Sequence, residues 1–153
     1  MTLKLGVLGI DHGHIFGMLN NMIAEGCTCE HWWTKGTPVT EKKFVEVFDT
    51  LDKVSDRSAI VEDDSIDMVL ISAIPEDRAA LAIKAMEAGR DVMVDKPGCT
   101  TLDQLAAIRD CVARTGRIWT VNFSERFEVP AVTRADELVQ AGAIGRVIQT
   151  VGL

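Results

Sequence analysis

The sequence lacks the features that mark membrane-spanning, secreted and nucleic-acid-binding proteins. No apolar run approaches the roughly 18 residues of a transmembrane helix. Residues 3–9 lack the long apolar core and the cleavage site of a signal peptide. The 16 basic and 23 acidic residues give a net charge of −7, and no stretch of basic residues stands out. This charge argues against a nucleic-acid partner or an anionic membrane surface.

The four cysteines, Cys27, Cys29, Cys99 and Cys111, form no C-x-x-C pair. Reduced thiols in a cytoplasmic protein are the simplest interpretation. Cys27, Cys29 and His31 alternate, so on a strand they would share one face and could be three zinc ligands. Free cysteines are among the most buried residue types, so ordinary core thiols are the expected outcome. We predict no metal site.

Repeats and low-complexity segments are also absent, and 153 residues, 47% of them hydrophobic, suit a domain with a substantial core. Strand-like and helix-like patterns alternate along the chain and are separated by glycines. This order predicts an α/β fold, a doubly wound parallel sheet with crossover helices. The predicted strands are 3–8, 27–33, 57–61, 68–71, 92–94 and 118–123, with a further strand from 144 to the last residue. The predicted helices lie between 13 and 26, near 41–52, at 76–88, between 101 and 116, and near 130–141.

The predicted helix between 101 and 116 opens with Thr101-Leu102-Asp103-Gln104, a capping-box pattern. Its periodicity predicts burial of Leu102, Leu105, Ile108 and Val112. Right-handed crossovers would then place the carboxyl ends of strands one, four and five around one crevice. The segments that meet there would be residues 9–13, 72–75 and 95–97.

The end of the fifth strand carries side chains suited to chemistry. Val92, Met93 and Val94 fit a buried strand, and Pro97 stops it because proline cannot donate to the sheet. Lys96 would be partly desolvated beside Asp95 and could serve as a proton donor or a substrate anchor. A lysine in a surface salt bridge is the alternative.

Three segments carry a resemblance to a known family: residues 85–97, 121–127 and 142–147. The first resembles the block A-L-x-A-G-K-x-V-x-x-E-K-P of the glucose-fructose oxidoreductase / inositol dehydrogenase (Gfo/Idh/MocA) family, with Asp95 in place of the glutamate. The second is similar to the end of the family's sixth strand, and the third to the entry to its second domain. The resemblance covers the whole chain.

This resemblance implies an NAD(P)-binding Rossmann fold and an NAD(P)-dependent oxidoreductase that acts on a sugar, polyol, cyclitol or related hydroxy or keto compound. In the family, the lysine matched by Lys96 positions the substrate and relays its proton. The acid matched by Asp95 lies beside the nicotinamide end of the cofactor. The cofactor carries out the hydride transfer, and the protein supplies orientation and electrostatics.

The dinucleotide fingerprint departs from the family pattern. G-x-G-x-x-G requires glycine at positions 9, 11 and 14, whereas the chain has Gly9, Asp11 and His14. A carboxylate about 4 Å from the pyrophosphate costs on the order of 4 kcal/mol per like-charge contact before screening. Cofactor affinity should suffer unless Asp11 turns away, caps the helix, or pairs with a protonated His12 or His14. Gly13 could restore some flexibility one residue early.

The end of strand two indicates which nucleotide is preferred. Thr34 aligns with the position that reads the adenosine ribose, where an NAD-dependent relative usually has aspartate. Lys35 adds a cation suited to a 2′-phosphate. NADP is therefore favoured over NAD.

The candidate catalytic residue is Lys96. The candidate cofactor-binding residues are Gly9, Ile10, Asp11, His12, Gly13, His14, Thr34, Lys35, Ser72, Ala73, Ile74, Pro75, Asp95, Lys96 and Arg126. Ser72 and Ala73 allow close approach beneath the cofactor, or they form a plain strand-to-helix turn. Arg126 reaches the crevice or forms a surface ion pair.

The resemblance also implies a division into a Rossmann domain, 1–123, and the truncated start of a substrate and oligomerisation domain, 124–153. The chain alone would then be inactive, and the strand from 144 would pair with a second copy, giving a homo-oligomer. A non-catalytic nucleotide-binding sensor or a scaffold is the alternative function. The segment 11–14 is also similar to the D-x-H-x-H metal motif of amidohydrolase barrels. The spacing differs, however, and the chain is too short for that barrel.

Overall fold

The computed structural model describes residues 2–124, 126 and 129–151, in which six strands alternate with helices. The strands are β1 Lys4–Ile10, β2 Thr28–Trp33, β3 Asp52–Lys53, β4 Met68–Ser72, β5 Asp91–Asp95 and β6 Trp119–Asn122. The helices are α1 His14–Ala24, α2 Glu41–Val47, α3 Ser58–Val61, α4 Pro75–Glu87, α5 Leu102–Thr115 and α6 Pro130–Gln140. Within the described ranges, no helix combines the length and the apolar character that a bilayer crossing requires.

The six strands form one sheet in the order β3-β2-β1-β4-β5-β6, and every neighbouring pair is parallel. This is the predicted doubly wound fold. The chain leaves β1 toward β2 on one side and later returns to β4 on the other, so the crevice between the ends of β1 and β4 is the topological switch point.

The sheet is covered on both faces because its central strands are apolar throughout. Successive side chains point to opposite faces. Leu5 and Val7 therefore pack with α1 and α2, while Leu8 packs with α3 and α4. Leu70 packs in the same cluster as Leu5 and Val7, and its neighbour Val69 packs in the same cluster as Leu8. Because the strands are all parallel, their carboxyl ends lie at one edge of the sheet.

The predicted cap of α5 is present. Thr101 Oγ1 accepts a hydrogen bond from the backbone N–H of Gln104 at 3.1 Å. The Gln104 side chain accepts from the backbone N–H of Thr100 at 2.8 Å, one residue before the position that a capping box uses. The predicted burial of Leu102 is wrong: it is 82% exposed, because the first turn lies beyond the edge of the core. The residues that α5 buries are Ile108 and Cys111.

The predicted third strand is also wrong. Residues 58–61 form the helix α3, and β3 is the two-residue strand Asp52–Lys53, where the second helix was predicted to continue. A short apolar run does not distinguish strand from helix by its periodicity. The Asp56 carboxylate accepts from the backbone N–H of Ser58 at 2.9 Å and starts the turn. Ile60 is then buried on the sheet.

A second compact unit begins at Phe123, after a first unit that ends at Asn122. It contains α6. The strand predicted from residue 144 is absent from the described residues 144–151. A strand persists only where its backbone groups find partners, and no strand of this unit is described that could supply them. The prediction for residues 152 and 153 falls outside the described part of the chain.

Candidate functional site

A cavity of about 330 Å³ opens at the switch point. Its walls come from the ends of β1, β2 and β4, from the start of α4 and from the residue before α3. The lining residues are Gly9, Asp11, Trp33, Lys35, Arg57, Ala73, Ile74, Asp77, Ala80 and Leu81. Five of the predicted cofactor residues are among them: Gly9, Asp11, Lys35, Ala73 and Ile74.

Gly9 allows the ends of β1 and β4 to approach each other. Its φ is +81°, and a Cβ built there would lie 2.5 Å from the Ala73 Cβ and 2.6 Å from the Ala73 Cα. Contacts this short exclude any side chain, and the positive φ is open to glycine at little cost. The Ala73 side chain is itself as small as a chiral residue permits, so both strand ends leave room for the cavity.

Asp11 turns toward the loop between β4 and α4. Its backbone N–H donates to the Ser72 carbonyl at 2.8 Å, and the nearby Ile74 backbone acts to lower the pKa of its carboxyl. Burial raises the pKa of the Asp11 carboxyl above its ordinary value, and the nearby charge of Asp77 raises this pKa further. Asp11 neither caps α1 nor pairs with a histidine; of the predicted possibilities, it turns away.

Gly13 precedes α1 with φ −63° and ψ −15°, an ordinary right-handed conformation. The predicted flexibility of this glycine is therefore not used. Gly13 has no side chain to cap the helix, and a Cβ at this position would have no neighbour within 4 Å. The first N–H groups of α1 make long hydrogen bonds of 3.3 Å: His14 donates to His12 Nδ1, and Ile15 donates to the His12 carbonyl. The helix dipole leaves a partial positive charge at this N-terminus, which suits an anion.

Two cations stand at the end of β2. Lys35 Nζ lies 3.2 Å from the Asp77 carboxylate. The Arg57 guanidinium lies 5.8 Å from the centre of the Trp33 ring. Thr34 directly follows β2, as predicted, but it is buried, and its hydroxyl has no hydrogen-bond partner among the described residues. Lys35 and Arg57, rather than Thr34, reach the cavity.

A buried ion pair lies beneath the end of β5. Asp95 is fully buried, and Arg78 is 2% exposed. Arg78 donates from Nη2 to Asp95 Oδ2 at 3.1 Å, from Nη1 to the Asp95 carbonyl at 2.8 Å and from Nε to the Ala73 carbonyl at 2.7 Å. Burial lowers the pKa of the guanidinium, and Asp95 opposes that shift. The arginine remains charged because its pKa starts so high.

Two histidines contact the same carboxylate, His12 from the loop after β1 and His14 from the first residue of α1. His14 Nδ1 lies 2.8 Å from Asp95 Oδ1, and His12 Nδ1 lies 3.3 Å from Oδ2. The two rings meet edge to face, with centroids 4.3 Å apart. The Ser72 hydroxyl lies 3.4 Å from Oδ2. The structure therefore joins predicted residues from strands one, four and five around one buried charge.

Lys96 follows this cluster and is joined to Pro97 by a cis peptide bond. Its side chain is half-buried, and no hydrogen bond or ion pair of its ammonium group occurs in the described part of the chain. Lys96 was predicted to lie beside the Asp95 carboxylate, but that carboxylate contacts Arg78, His12 and His14 instead. The alternative of a surface salt bridge is therefore not realised, and the ammonium group can reach a ligand.

Three predicted residues have plainer surroundings. The Ile10 carbonyl accepts a hydrogen bond from the Thr40 hydroxyl. Pro75 is the first residue of α4, where its missing N–H costs nothing. Arg126 forms an ion pair of 2.8 Å with Asp136 inside the second unit.

Arg78 is not among the predicted site residues, although its position in the sequence carries a signal. Arg78, Ala82 and Ala85 lie on one stripe of α4, at spacings of four and seven residues, and all three are buried. A charged residue on an apolar stripe requires a buried partner. Arg57 carried no comparable signal, since it precedes a helix that the sequence did not predict.

The possible zinc ligands of β2 do not converge. In the part of the chain that the structure describes, Cys27, Cys29 and His31 do not form a group with metal-ligand distances. Burial raises the pKa of the Cys29 thiol to about 11, which disfavours the thiolate that a metal needs. All four cysteines are free thiols, as predicted.

The chain is similar to known oxidoreductases. A sequence profile of the Gfo/Idh/MocA family, described as an oxidoreductase family with an NAD-binding Rossmann fold, matches residues 35–123. Scyllo-inositol 2-dehydrogenase (NAD(+)) from Bacillus subtilis strain 168 is 36% identical over 89 residues, which are 58% of this chain and 26% of that protein.

Solved structures extend the match over most of the chain. The structure described as a putative oxidoreductase from Erwinia carotovora atroseptica SCRI1043 matches with a TM-score of 0.92 and 36% sequence identity. The match covers 97% of this chain and 44% of the Erwinia chain. Levoglucosan dehydrogenase, solved in complex with NADH and L-sorbose, has a TM-score of 0.76 and 25% identity, and covers 97% of this chain and 42% of that one. The matches to the first curated relatives span 24% to 28% of their length.

Proposed function

Because this chain belongs to the Gfo/Idh/MocA oxidoreductase family, we propose that it is the dinucleotide-binding part of an NAD(P)-dependent oxidoreductase. The observation that carries the proposal is the arrangement along one sheet edge. Along this edge lie the cavity at the switch point, the N-terminus of α1 and the pair Asp95–Lys96. An extended dinucleotide needs these three places.

The adenosine half of the cofactor would occupy the cavity beside Trp33. Its pyrophosphate would lie over the N-terminus of α1, where the helix dipole attracts an anion. The nicotinamide would then extend toward Asp95. When bound, the cofactor supplies the hydride chemistry, while this chain supplies orientation and electrostatics.

NADP is the better fit at the adenosine ribose. The chain has no acid in the segment from Trp33 to Lys35 to accept the ribose 2′-hydroxyl. Lys35 and Arg57 both line the cavity and would pair with a 2′-phosphate. Lys35 Nζ already lies 3.2 Å from the Asp77 carboxylate. Arg57 would therefore contribute more than Lys35 to the preference for NADP over NAD.

The substrate class follows from the relatives' names, which include an inositol and a levoglucosan dehydrogenase. We propose a sugar, polyol, cyclitol or related hydroxy or keto compound, with Lys96 positioning it and relaying its proton. The second unit would begin the domain that selects the substrate. Its exposed apolar residues Ile144, Ile148 and Val151 favour association with a second copy, which light scattering of the chain would detect.

A nucleotide-binding sensor without catalysis is the second candidate. It is favoured by Asp11 and His14, which replace two glycines of the fingerprint. The family profile also begins at residue 35, after this loop. In this case nucleotide would bind, but the complete protein would oxidise no polyol.

Calorimetric titration with NADPH and NADH tests the proposal. We expect NADPH to bind more tightly than NADH, and Arg57→Gln to remove most of that difference. Arg114→Gln is the matched control, because Arg114 is an exposed cation on α5 that pairs with Glu87, away from the cavity. If the folded chain binds neither nucleotide, the cavity is not a cofactor site.

A further inference from the structure

Three side chains able to ligate a metal ion converge where β1 and β5 end. One nitrogen each of His12 and His14 and one carboxylate oxygen of Asp95 lie within 4.8 Å of one another, and no second such group occurs in residues 2–124, 126 and 129–151. His14 Nδ1 lies 2.8 Å from Asp95 Oδ1, and His12 Nδ1 lies 3.3 Å from the other carboxylate oxygen, Oδ2. With metal–ligand bonds of about 2.0–2.2 Å, neighbouring ligands lie about 3.0–3.4 Å apart.

Hydrogen bonds alone do not account for His12. Its Nδ1 accepts the backbone N–H of His14 at 3.3 Å, which requires a lone pair on that nitrogen. The same Nδ1 faces Asp95 Oδ2 at 3.3 Å, and that oxygen is also an acceptor. Two acceptors at this distance repel each other unless a positive species lies between them. That species is either a proton on Nδ1, which removes the first hydrogen bond, or a cation.

We propose that His12, His14 and Asp95 bind a divalent first-row transition-metal ion. Two imidazoles and one carboxylate form a donor set that suits Zn²⁺, Fe²⁺ and Mn²⁺. Asp95 is fully buried, whereas the side chains of His12 and His14 are 50% and 28% exposed. The ion therefore enters from solvent and keeps coordination positions for water or for an oxygen of a ligand. This departs from the sequence prediction of no metal site.

Arg78 moderates the affinity. Its Nη2 lies 3.1 Å from Asp95 Oδ2, so it holds the carboxylate in place, with Oδ1 toward His14 and Oδ2 toward His12. The guanidinium charge also offsets part of the attraction between the carboxylate and a dication. The site should therefore bind a dication less tightly than the same three ligands would without the arginine.

The metal site goes beyond the proposed oxidoreductase function because it requires no nucleotide. It lies next to Lys96, which follows Asp95 in the chain. If the proposed function holds, the open coordination positions face the place where a hydroxyl or keto oxygen of the substrate would bind.

Calorimetric titration of the nucleotide-free chain with MnCl₂, and separately with ZnCl₂, tests the site. Mn²⁺ favours oxygen and imidazole over thiolate, so cysteines do not contribute to its signal. We expect one Mn²⁺ per chain, and we expect His12→Gln and His14→Gln each to weaken binding by at least about tenfold. The control is His31→Gln, which changes the third histidine, outside the group, and should leave the affinity unchanged.

Two results overturn the proposal. One is a folded chain that binds neither ion, in which case a proton on His12 separates the two acceptors. The other is Mn²⁺ binding that persists in both histidine variants. Circular dichroism verifies that the variants fold, as expected for partly exposed side chains.

Co²⁺ gives a second readout. A visible absorption band without sulfur charge transfer supports nitrogen and oxygen ligands, and a sulfur band places the ion on cysteine instead and contradicts the site. None of these results depends on nucleotide binding, so the two proposals fail separately.

Discussion

Arg78 donates two hydrogen bonds to Asp95, one to the carboxylate at 3.1 Å and one to the backbone carbonyl at 2.8 Å. This contact joins the first turn of α4 to the last residue of β5. The carboxylate is thereby fixed below the sheet edge, where His12 and His14 reach it. The buried pair therefore sets the position of both histidines and the direction in which Lys96 leaves the strand.

Arg78→Met should destabilise the fold, because it leaves Asp95 buried without its counter-charge. Removing one partner of a buried pair costs about 3–5 kcal/mol. Urea denaturation would measure the free energy of unfolding. Arg114→Met is the control, since its exposed ion pair with Glu87 contributes little to stability. Equal effects of the two substitutions would contradict this role of Arg78.

Asp11→Asn should strengthen dinucleotide binding at neutral pH by about tenfold, because the Asp11 carboxylate, although turned away, still places a negative charge in the loop beside the proposed pyrophosphate position. The pKa of Asp11 is raised above 3.8, so its protonated form favours both the native state and an approaching anion. Affinity of the unchanged chain should therefore fall as pH rises above 3.8 through this pKa.

The Asp11→Asn substitution should flatten that pH dependence, and calorimetry at several pH values would measure it. The same sign applies to stability. The stabilisation from protonated Asp11 is fully present below the unfolded-state pKa and is lost as pH rises through the folded-state pKa. The substituted chain should therefore melt at a higher temperature at neutral pH. A lower affinity of the variant for nucleotide would sink this account of Asp11.

Gly9→Ala and Gly13→Ala form a matched pair. Gly9→Ala adds a Cβ 2.5 Å from the Ala73 Cβ at a φ of +81°. This substitution should lower the free energy of unfolding by more than about 1 kcal/mol and displace the end of β4. The second adds a Cβ in open space at an ordinary φ, and it should leave the unfolding free energy nearly unchanged. Thermal or chemical denaturation distinguishes them; a tolerated Gly9→Ala would be the contrary result.

Lys96→Met in the complete protein should reduce the hydride-transfer rate about a hundredfold if Lys96 relays a proton. Nucleotide affinity should change little, because Lys96 is not among the residues that line the cavity proposed for the adenosine half. Single-turnover kinetics separates the two quantities. Lys42→Met, at an exposed position of α2, is the control, and a rate that matches this control would remove Lys96 from the mechanism.

Much of the sheet was predictable because its signals are local. Apolar strands followed by amphipathic helices and glycine stops define β1, β4, β5 and their crossovers, and parallel connections permit few strand orders. The errors lie where the signal is short. Residues 58–61 read equally well as strand or helix, and the predicted strand from 144 has no described partner.

The sequence by itself determined the fold class, the edge at which the site lies and the residues that end β1, β4 and β5. Only the tertiary structure decided how those residues pair. His14 and Asp95 are 81 positions apart, and Arg78 and Asp95 are 17 apart. The spacing of residues along the sequence cannot show that the buried Asp95 carboxylate contacts one arginine and two histidines. It also cannot show that Lys96 has no ion-pair partner among the described residues. That choice depends on burial, because a charge removed from water must be satisfied by the donors that folding brings within reach.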